Sequence, residues 1–382
     1  MRSRLSDDFK RFGRELPADW ATHVRQHYRI DLSASYLGTS LPHPIGKASG
    51  QLSLNARQLE QDREAGLAFV VLKTVIGERA DGSRSMQAWA TDVTRMQVER
   101  RDEPDGRSGW TVTWKGRGWA GTLAEYAELV RAGREMTRAG GPLVLPSVKL
   151  HLPVGSEPFD AAEYRHTLGV LQRAWGGGTL LLEKDFSPTL AGDSRADQQE
   201  TILRWVRQVP EVIRRHASRP LRLSLKLMNA RFDDGFQCAM LEAAGAADGV
   251  TVFNRLWDAE QQVAYGGWAL SDRNLRVLDR AARGGAERSG TGNICSGRQI
   301  VAYTRRGCTS VQLHTAFQLP LSAYPAEAGS RSQRTVHALV FHPQDGLIAG
   351  LLELEAAGTV ERRDGELHFS DLCLMDTHSH ED

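Results

Sequence analysis

The sequence predicts an α/β fold, a (β/α)8 TIM barrel with an N-terminal extension, a long insertion after strand 2 and a C-terminal extension. Three observations predict it. First, short apolar runs of strand length alternate with amphipathic helical stretches along most of the 382 residues. The early strand, helix, strand series has no hairpin signal, as parallel strands with helical crossovers require. Second, runs such as Leu67-Ala-Phe-Val-Val-Leu-Lys-Thr-Val75 are almost continuously apolar, as strands covered on both faces must be. Third, residues 287–316 close the alternation with a glycine-rich turn, Ser289-Gly-Thr-Gly-Asn-Ile-Cys-Ser-Gly297, which opens a helix and leads into another apolar strand. Backbone N–H groups can approach an anion at such glycines, and the helix start adds positive potential. After strands 7 and 8 of a barrel this is the usual phosphate site, although a glycine turn alone often only relieves a tight bend.

Taken in order, residues 1–40 read as an appended segment with one helix near Asp19–Tyr28. Pro44–Gly50 is strand 1, Asn55–Ala65 a helix and Leu67–Val75 strand 2. Residues 77–121 interrupt the rhythm with charges, glycines and Trp110, Trp114 and Trp119. A loop this long at the exit of a barrel strand is expected to cover an active site. The series resumes with helix Leu123–Thr137, strand 3 at Pro142–Leu150, helix Ala161–Trp175 and strand 4 at Thr179–Phe186. Helix Asp197–His216, strand 5 at Leu221–Met228, helix Gly235–Ala244 and strand 6 at Gly249–Asn254 follow. A loop at Gly266-Gly-Trp268 precedes helix Asp272–Arg283, the glycine-rich strand 7, helix Ser296–Arg306 and strand 8. The barrel is thus assigned to residues 41–325. The extension at 326–382 holds a helix, Leu347–Ala357, and a hairpin turning at Asp364-Gly365.

Composition narrows the function. With 41% hydrophobic and 25% charged residues the chain can bury a large core. Lys+Arg 48 against Asp+Glu 47 leaves no field to attract nucleic acid or an anionic membrane surface. Cys238, Cys295, Cys308 and Cys373 are scattered, without metal or iron–sulfur spacing, so no metal is expected and the thiols read as reduced. The N-terminus lacks a signal-peptide core, and no apolar run reaches membrane-spanning length. A cytoplasmic protein is expected, with a small-molecule substrate, no nucleic-acid or membrane partner, and a homodimer as an open arrangement. His378-Ser-His380 near the end reads as a frayed polar terminus.

From Asp31 to Phe317 the residues carry a resemblance. Pro44-Ile-Gly-Lys-Ala-Ser-Gly50, Val70-Val-Leu-Lys-Thr74, Leu225-Lys-Leu227, Val250-Thr-Val-Phe-Asn254, Gly290-Thr-Gly-Asn-Ile294 and Val311-Gln-Leu-His-Thr315 resemble, in that order, the dihydroorotate dehydrogenase family of FMN-dependent barrels. The resemblance implies FMN as cofactor, held by Ala48, Ser49 and Gly50 after strand 1 and by Lys73 and Thr74 after strand 2. Lys226, Asn254, Gly266, Gly267, Gly290, Gly292, Asn293, His314 and Thr315 complete that set. Lys226 is similar to the family lysine that steadies negative charge on the reduced flavin, a role suited to a fixed cation. Its apolar neighbours Leu223, Leu225 and Leu227 favour an interior strand over a snorkelling surface lysine. Lys73 resembles the lysine facing flavin and substrate. Ser187, in Lys184-Asp-Phe-Ser-Pro-Thr189, falls where the family motif Asn-x-Ser-Cys/Ser-Pro-Asn places its proton-transfer residue. A serine hydroxyl needs a relay to act as a base, and Ser-Pro is also an ordinary turn.

The departures are as informative. Lys184 and Thr189 stand where the family motif has asparagines, Trp114-Lys-Gly-Arg-Gly-Trp119 replaces a loop that supplies others, and Arg255 follows Asn254 where a small hydroxylic residue is usual. Without those asparagines an orotate ring lacks its amide partners. Substrate contacts are therefore expected from Lys184, Thr189, Asn254, Arg255, Lys149 and Trp119. Lys184 and Arg255 could recognise an anionic group or be neutralised by Glu183, Asp185 and Asp258. The expectation is an FMN-dependent oxidoreductase acting on a CH–CH bond next to a carbonyl of a small anionic substrate other than dihydroorotate. The alternatives are an authentic dihydroorotate dehydrogenase and a non-redox phosphate-binding barrel.

Overall fold

A computed structural model describes residues 1–87, 95–102, 108–115, 118–186, 199–230, 233–258, 263–267 and 269–374. Eight parallel strands form a closed barrel. Strand 1 is Ile45–Lys47, strand 4 Leu180–Asp185, strand 5 Leu221–Met228, strand 6 Gly249–Asn254, strand 7 Glu287–Gly290 and strand 8 Cys308–Leu313. Strands 2 and 3 are each broken, into Phe69–Val71 with Val75–Ile76 and Leu143–Leu145 with Ser147–Lys149, and both halves pair with each other. Consecutive strands pair in register around the ring, and strand 8 returns to strand 1 through Val311–Ile45 and Leu313–Lys47.

The helices of the outer ring start where the sequence supplies caps. Thr122 with Glu125, Ser296 with Gln299 and Ser330 with Gln333 form capping boxes, and Asn55, Asp160 and Asp233 accept from backbone N–H groups of the first turn. The eighth helix of the ring is Arg331–Phe341, which packs beside Ala56–Glu64 and Gly297–Thr304. Its Ser-x-x-Gln start was legible, but the sequence reading left this helix out, as it did the N-terminal helix Arg2–Phe12.

Hydrogen bonds linking strands 3, 4, 6 and 8 cross the inside of the barrel. Ser147 Oγ donates to Glu183 Oε1 at 3.0 Å, Thr251 Oγ1 to Glu183 Oε2 at 3.4 Å, and Gln312 Nε2 to Thr251 Oγ1 at 2.9 Å and to Tyr36 Oη at 3.2 Å. With side chains alternating along each strand, inward Glu183, Asp185, Ser224, Lys226 and Thr251 leave Leu182, Leu223, Leu225, Val250 and Val252 to pack under the helices. The barrel centre is therefore polar, and its apolar core lies between sheet and helices. Tyr36, from a hairpin of Ala34–Tyr36 and Thr39–Leu41, closes the N-terminal mouth and stacks on Phe69 at 4.6 Å.

The long insertion is a hairpin rather than an irregular loop. Arg95–Asp102 pairs with Ser108–Lys115, which joins Val263–Gly266 and Leu256–Asp258 in a four-stranded antiparallel sheet beyond strand 6. Period-2 patterning is present in both insertion strands, Trp110, Val112 and Trp114 alternating with Thr111, Thr113 and Lys115, and Met96 and Val98 with Arg95, Gln97 and Glu99. The surrounding charges and glycines mask it, so the segment reads as a loop. The turn at Asp364-Gly365 is present, with both residues at positive φ, and leads to Leu367–His368, which pairs with Ile30–Asp31. No helix among the described residues is long and apolar enough to cross a membrane.

Candidate functional site

The C-terminal mouth of the barrel gathers cations. Lys73, Lys149, Lys184, Lys226 and Arg255 are each 8% exposed or less. Two buried carboxylates answer them. Asp185 Oδ2 receives Lys149 Nζ at 2.9 Å and Thr74 Oγ1 at 3.0 Å, and Glu183 Oε1 lies 3.8 Å from Lys226 Nζ. Ser49 and Thr74 hydroxyls lie 2.7 Å apart, and Thr74 Oγ1 is 3.1 Å from Ser147 Oγ. One polar network thus runs from strand 1 to strand 4 beneath the mouth.

Burial governs the charges here. It brings the Lys73 ammonium down to about 7, with Arg255 adding to the effect and Asp185 opposing it. It lowers Lys149 to about 8 against the pull of Asp185, and Lys184 to about 7 with Lys149 nearby. Burial raises Glu183 and would raise Asp185, but Lys149, Lys226 and Arg255 outweigh it and hold Asp185 at about 2. His314 is pushed well below its ordinary value by burial and by Arg255, Lys226 and Lys73, so its ring is neutral at neutral pH.

Above this network a cavity is lined by Ala48, Ser49, Lys226, Asn254, Arg255, Gly266, Gly292, Asn293, His314 and Thr315, with Leu270 and Thr291 completing the wall. Of the ten residues named first, Gly266 ends Val263–Gly266 of the antiparallel sheet and the other nine lie at the ends of strands 1, 5, 6, 7 and 8; all were singled out from the sequence. Its free space is about 20 Å³, room for one water, so any larger ligand enters only after wall side chains move outward.

Gly50, Gly267, Gly290, Trp119 and Lys184 are outside this lining. Gly50 packs beneath the His314 ring, and Gly290 faces Tyr303, where an added Cβ would sit 2.6 Å from the ring. Gly292 has φ +107, and its missing Cβ leaves room for Asn274 Nδ2 and Phe253 O. Gly267 is buried and receives Leu270 N at its carbonyl. Asn293 donates to the Trp110 carbonyl at 2.7 Å and so ties the insertion hairpin to the strand 7 turn. Trp119 is spent on structure, edge-on to Tyr126 at 5.5 Å, with its N–H donating to the Thr122 carbonyl. Lys184 points away from the cavity toward the helix layer, its Nζ 4.7 Å from the Phe186 ring centroid. Ser187 and Thr189 lie outside the described residues, as do His378 and His380.

Glu183 and Asp185 are the site residues that sequence reasoning passed over except as neutralisers of Lys184 and Arg255. Asp185 in fact pairs with Lys149. One available signal went unused. Of the 48 Lys+Arg residues only seven are lysines, and five of these, Lys47, Lys73, Lys149, Lys184 and Lys226, are 3% exposed or less. They sit at or near the ends of strands 1 to 5 in turn. A chain that uses arginine nearly everywhere keeps lysine where a compact cation that can lose its proton has a place.

With this geometry in hand, comparison with solved structures finds a crystal structure of DHODH in complex with ferulenol from Eimeria tenella. It superposes with a TM-score of 0.61 over 95% of this chain and 96% of that one, at 14% identity. The barrel is DHODH-like. At that identity the likeness establishes the fold. No protein-family model matches the sequence, and no curated protein matches it.

The residues fit FMN in their chemistry. The strand 7 turn offers backbone donors with Thr315 beside them, as a phosphate needs. The mouth supplies buried cations in excess of its carboxylates, and the Lys73 ammonium has no hydrogen bond or ion pair among the described residues. Such an orphaned buried cation calls for an anionic ligand.

Proposed function

We propose that this protein is an FMN-dependent oxidoreductase of the dihydroorotate dehydrogenase type. It acts on a CH–CH bond next to a carbonyl in a small anionic substrate other than dihydroorotate. The observation that carries the reading is the convergence of Ala48, Ser49, Lys226, Asn254, Gly292, Asn293, His314 and Thr315 on one cavity at the C-terminal mouth of a DHODH-like barrel.

When bound, FMN supplies a reversible two-electron acceptor for hydride. The protein's part is to hold and polarise. Backbone donors at Gly292 and Asn293 with Thr315 hold the phosphate, and Asn254 and Ser49 offer hydrogen bonds along the ring system. Lys226 presents its side-chain nitrogen at the wall, 3.8 Å from Glu183. Lys149 and Arg255 orient the anionic substrate, and Ser187 moves the substrate proton. Asp185 and Glu183 hold Lys149 and Lys226 in the polar barrel interior, so these two side chains need little reorganisation during the reaction.

The test is titration of flavin-free protein with FMN and with riboflavin, followed by flavin fluorescence. Binding of FMN in preference to riboflavin, by roughly a hundredfold as expected for charge-assisted phosphate contacts, supports the reading. Equal weak binding of both sinks it and favours the non-redox phosphate-binding barrel.

A further inference from the structure

The buried lysines of the mouth differ in one respect. Lys226 has Glu183, Lys149 has Asp185, and Lys47, on the outer side of strand 1, has Asp62. Lys184 donates to the Asp185 carbonyl at 3.3 Å. Lys73 is 3% exposed, yet no described residue gives its ammonium a hydrogen bond or an ion pair. The groups whose charge reaches it are Arg255 from strand 6, Asp185 from strand 4, Lys149 from strand 3 and Lys226 from strand 5. His314 from strand 8 is close enough to feel the Lys73 charge in return. Three cations therefore face Lys73 against one carboxylate that is already held by Lys149. Lys226, Arg255 and His314 line the cavity itself, and Lys73 lies behind that lining, within reach of their charge.

A buried ammonium in such company avoids the cost of its charge in one of two ways. It loses the proton, or it receives an anion. We propose that Lys73 does each in turn, standing as a neutral amine beside the oxidised flavin and taking up a proton when the flavin gains two electrons. The negative charge arriving in the cavity is then met by a positive one. This rests on the flavin reading of the cavity. The step balances simply. Two electrons come from the reductant, one proton comes from solvent to form an N–H bond on Lys73 Nζ, and no bond within the protein breaks.

The geometry sets the two lysines apart. Lys226 has Glu183 at 3.8 Å, whereas Lys73 has only distant attraction from Asp185, and burial leaves it at about 7. Below pH 7 the amine is protonated in both redox states and contributes nothing to the pH dependence. Above pH 7 it is neutral before reduction and charged after, so reduction consumes one additional proton until the raised value of the reduced state is passed.

The experiment is a spectroelectrochemical titration of the flavin-loaded protein between about pH 6 and pH 9. One additional proton makes the two-electron equilibrium constant fall tenfold more steeply per pH unit, about 30 mV per unit. The wild type is expected to show that steepening near pH 7. Lys73→Arg keeps the cation but cannot release its proton, and Lys73→Met lacks it, so both are expected to titrate without the break. A wild-type profile with a single slope overturns the proposal even if neither variant folds, and so does a break that survives in Lys73→Met. Protein that binds no flavin overturns the flavin reading and this proposal together. Bound flavin with no break overturns only the role of Lys73.

Discussion

Asp185→Asn removes the carboxylate on which the mouth's charges are balanced. Asp185 is 5% exposed and accepts from Lys149 Nζ at 2.9 Å and Thr74 Oγ1 at 3.0 Å. Burial pushes the carboxyl up, yet Lys149, Lys226 and Arg255 hold it at about 2, against about 3.9 for an ordinary aspartate. That gap favours the charged, folded form by roughly 2–3 kcal/mol. The carboxyl is depressed, so its contribution is complete above about pH 4 and fades as the pH falls through 2. The substitution also strands Lys149, which is fully buried. Breaking one side of such a pair costs about 3–5 kcal/mol. Urea unfolding at pH 7, followed by far-UV circular dichroism, should show a loss of that size. The double variant Lys149→Met/Asp185→Leu should recover most of it, because an apolar pair of similar volume carries no buried charge. If Asp185→Asn unfolds within about 1 kcal/mol of the wild type, the ion pair does not organise the mouth and the reasoning fails.

Three further outcomes are expected. Thr315→Val removes one hydroxyl with almost no change in volume and should weaken FMN binding roughly tenfold or more while leaving the unfolding midpoint alone; unchanged affinity would take the phosphate away from strand 8. Lys226→Ala should slow flavin reduction about a hundredfold and lower the flavin potential, and it should also cost stability because Glu183 is left buried without its cation; an unaltered potential removes Lys226 from the cofactor. Ser187→Ala should abolish turnover with little effect on flavin content, and anaerobic dihydroorotate should fail to bleach the wild-type flavin. Rapid, complete bleaching would promote the authentic dihydroorotate dehydrogenase instead.

Much of the fold was legible because parallel barrel strands leave a strong trace. Runs such as Leu221–Met228 and Gly249–Asn254 are separated by a helix with an explicit cap at Asp233, and all eight strands were assigned in order. The mouth was legible for a related reason, since strand ends place residues distant in sequence at one level of the barrel. What escaped reading depends on tertiary partners. The insertion strands Arg95–Asp102 and Ser108–Lys115 pair with each other and with Val263–Gly266; their alternation of Trp110, Val112 and Trp114 with Thr111, Thr113 and Lys115 was there to read, but the distant partner Val263–Gly266 was not. Arg331–Phe341 follows a stretch rich in serine, alanine and glycine that reads as a tail, and only the gap in the helical ring requires it. Asp185 and Glu183 looked only like neutralisers of Lys184 and Arg255 because strand alternation was not followed inward. Trp119 looked like a ligand contact because its ring contact with Tyr126, on the helix that follows, is not visible in a sequence pattern.

The central claim is that the mouth holds FMN, and the visible spectrum of the purified protein tests it most directly. The account predicts a yellow protein with flavin absorption bands, whose heat-released chromophore has the mass of FMN rather than of riboflavin. A colourless protein that takes up no FMN on incubation contradicts it.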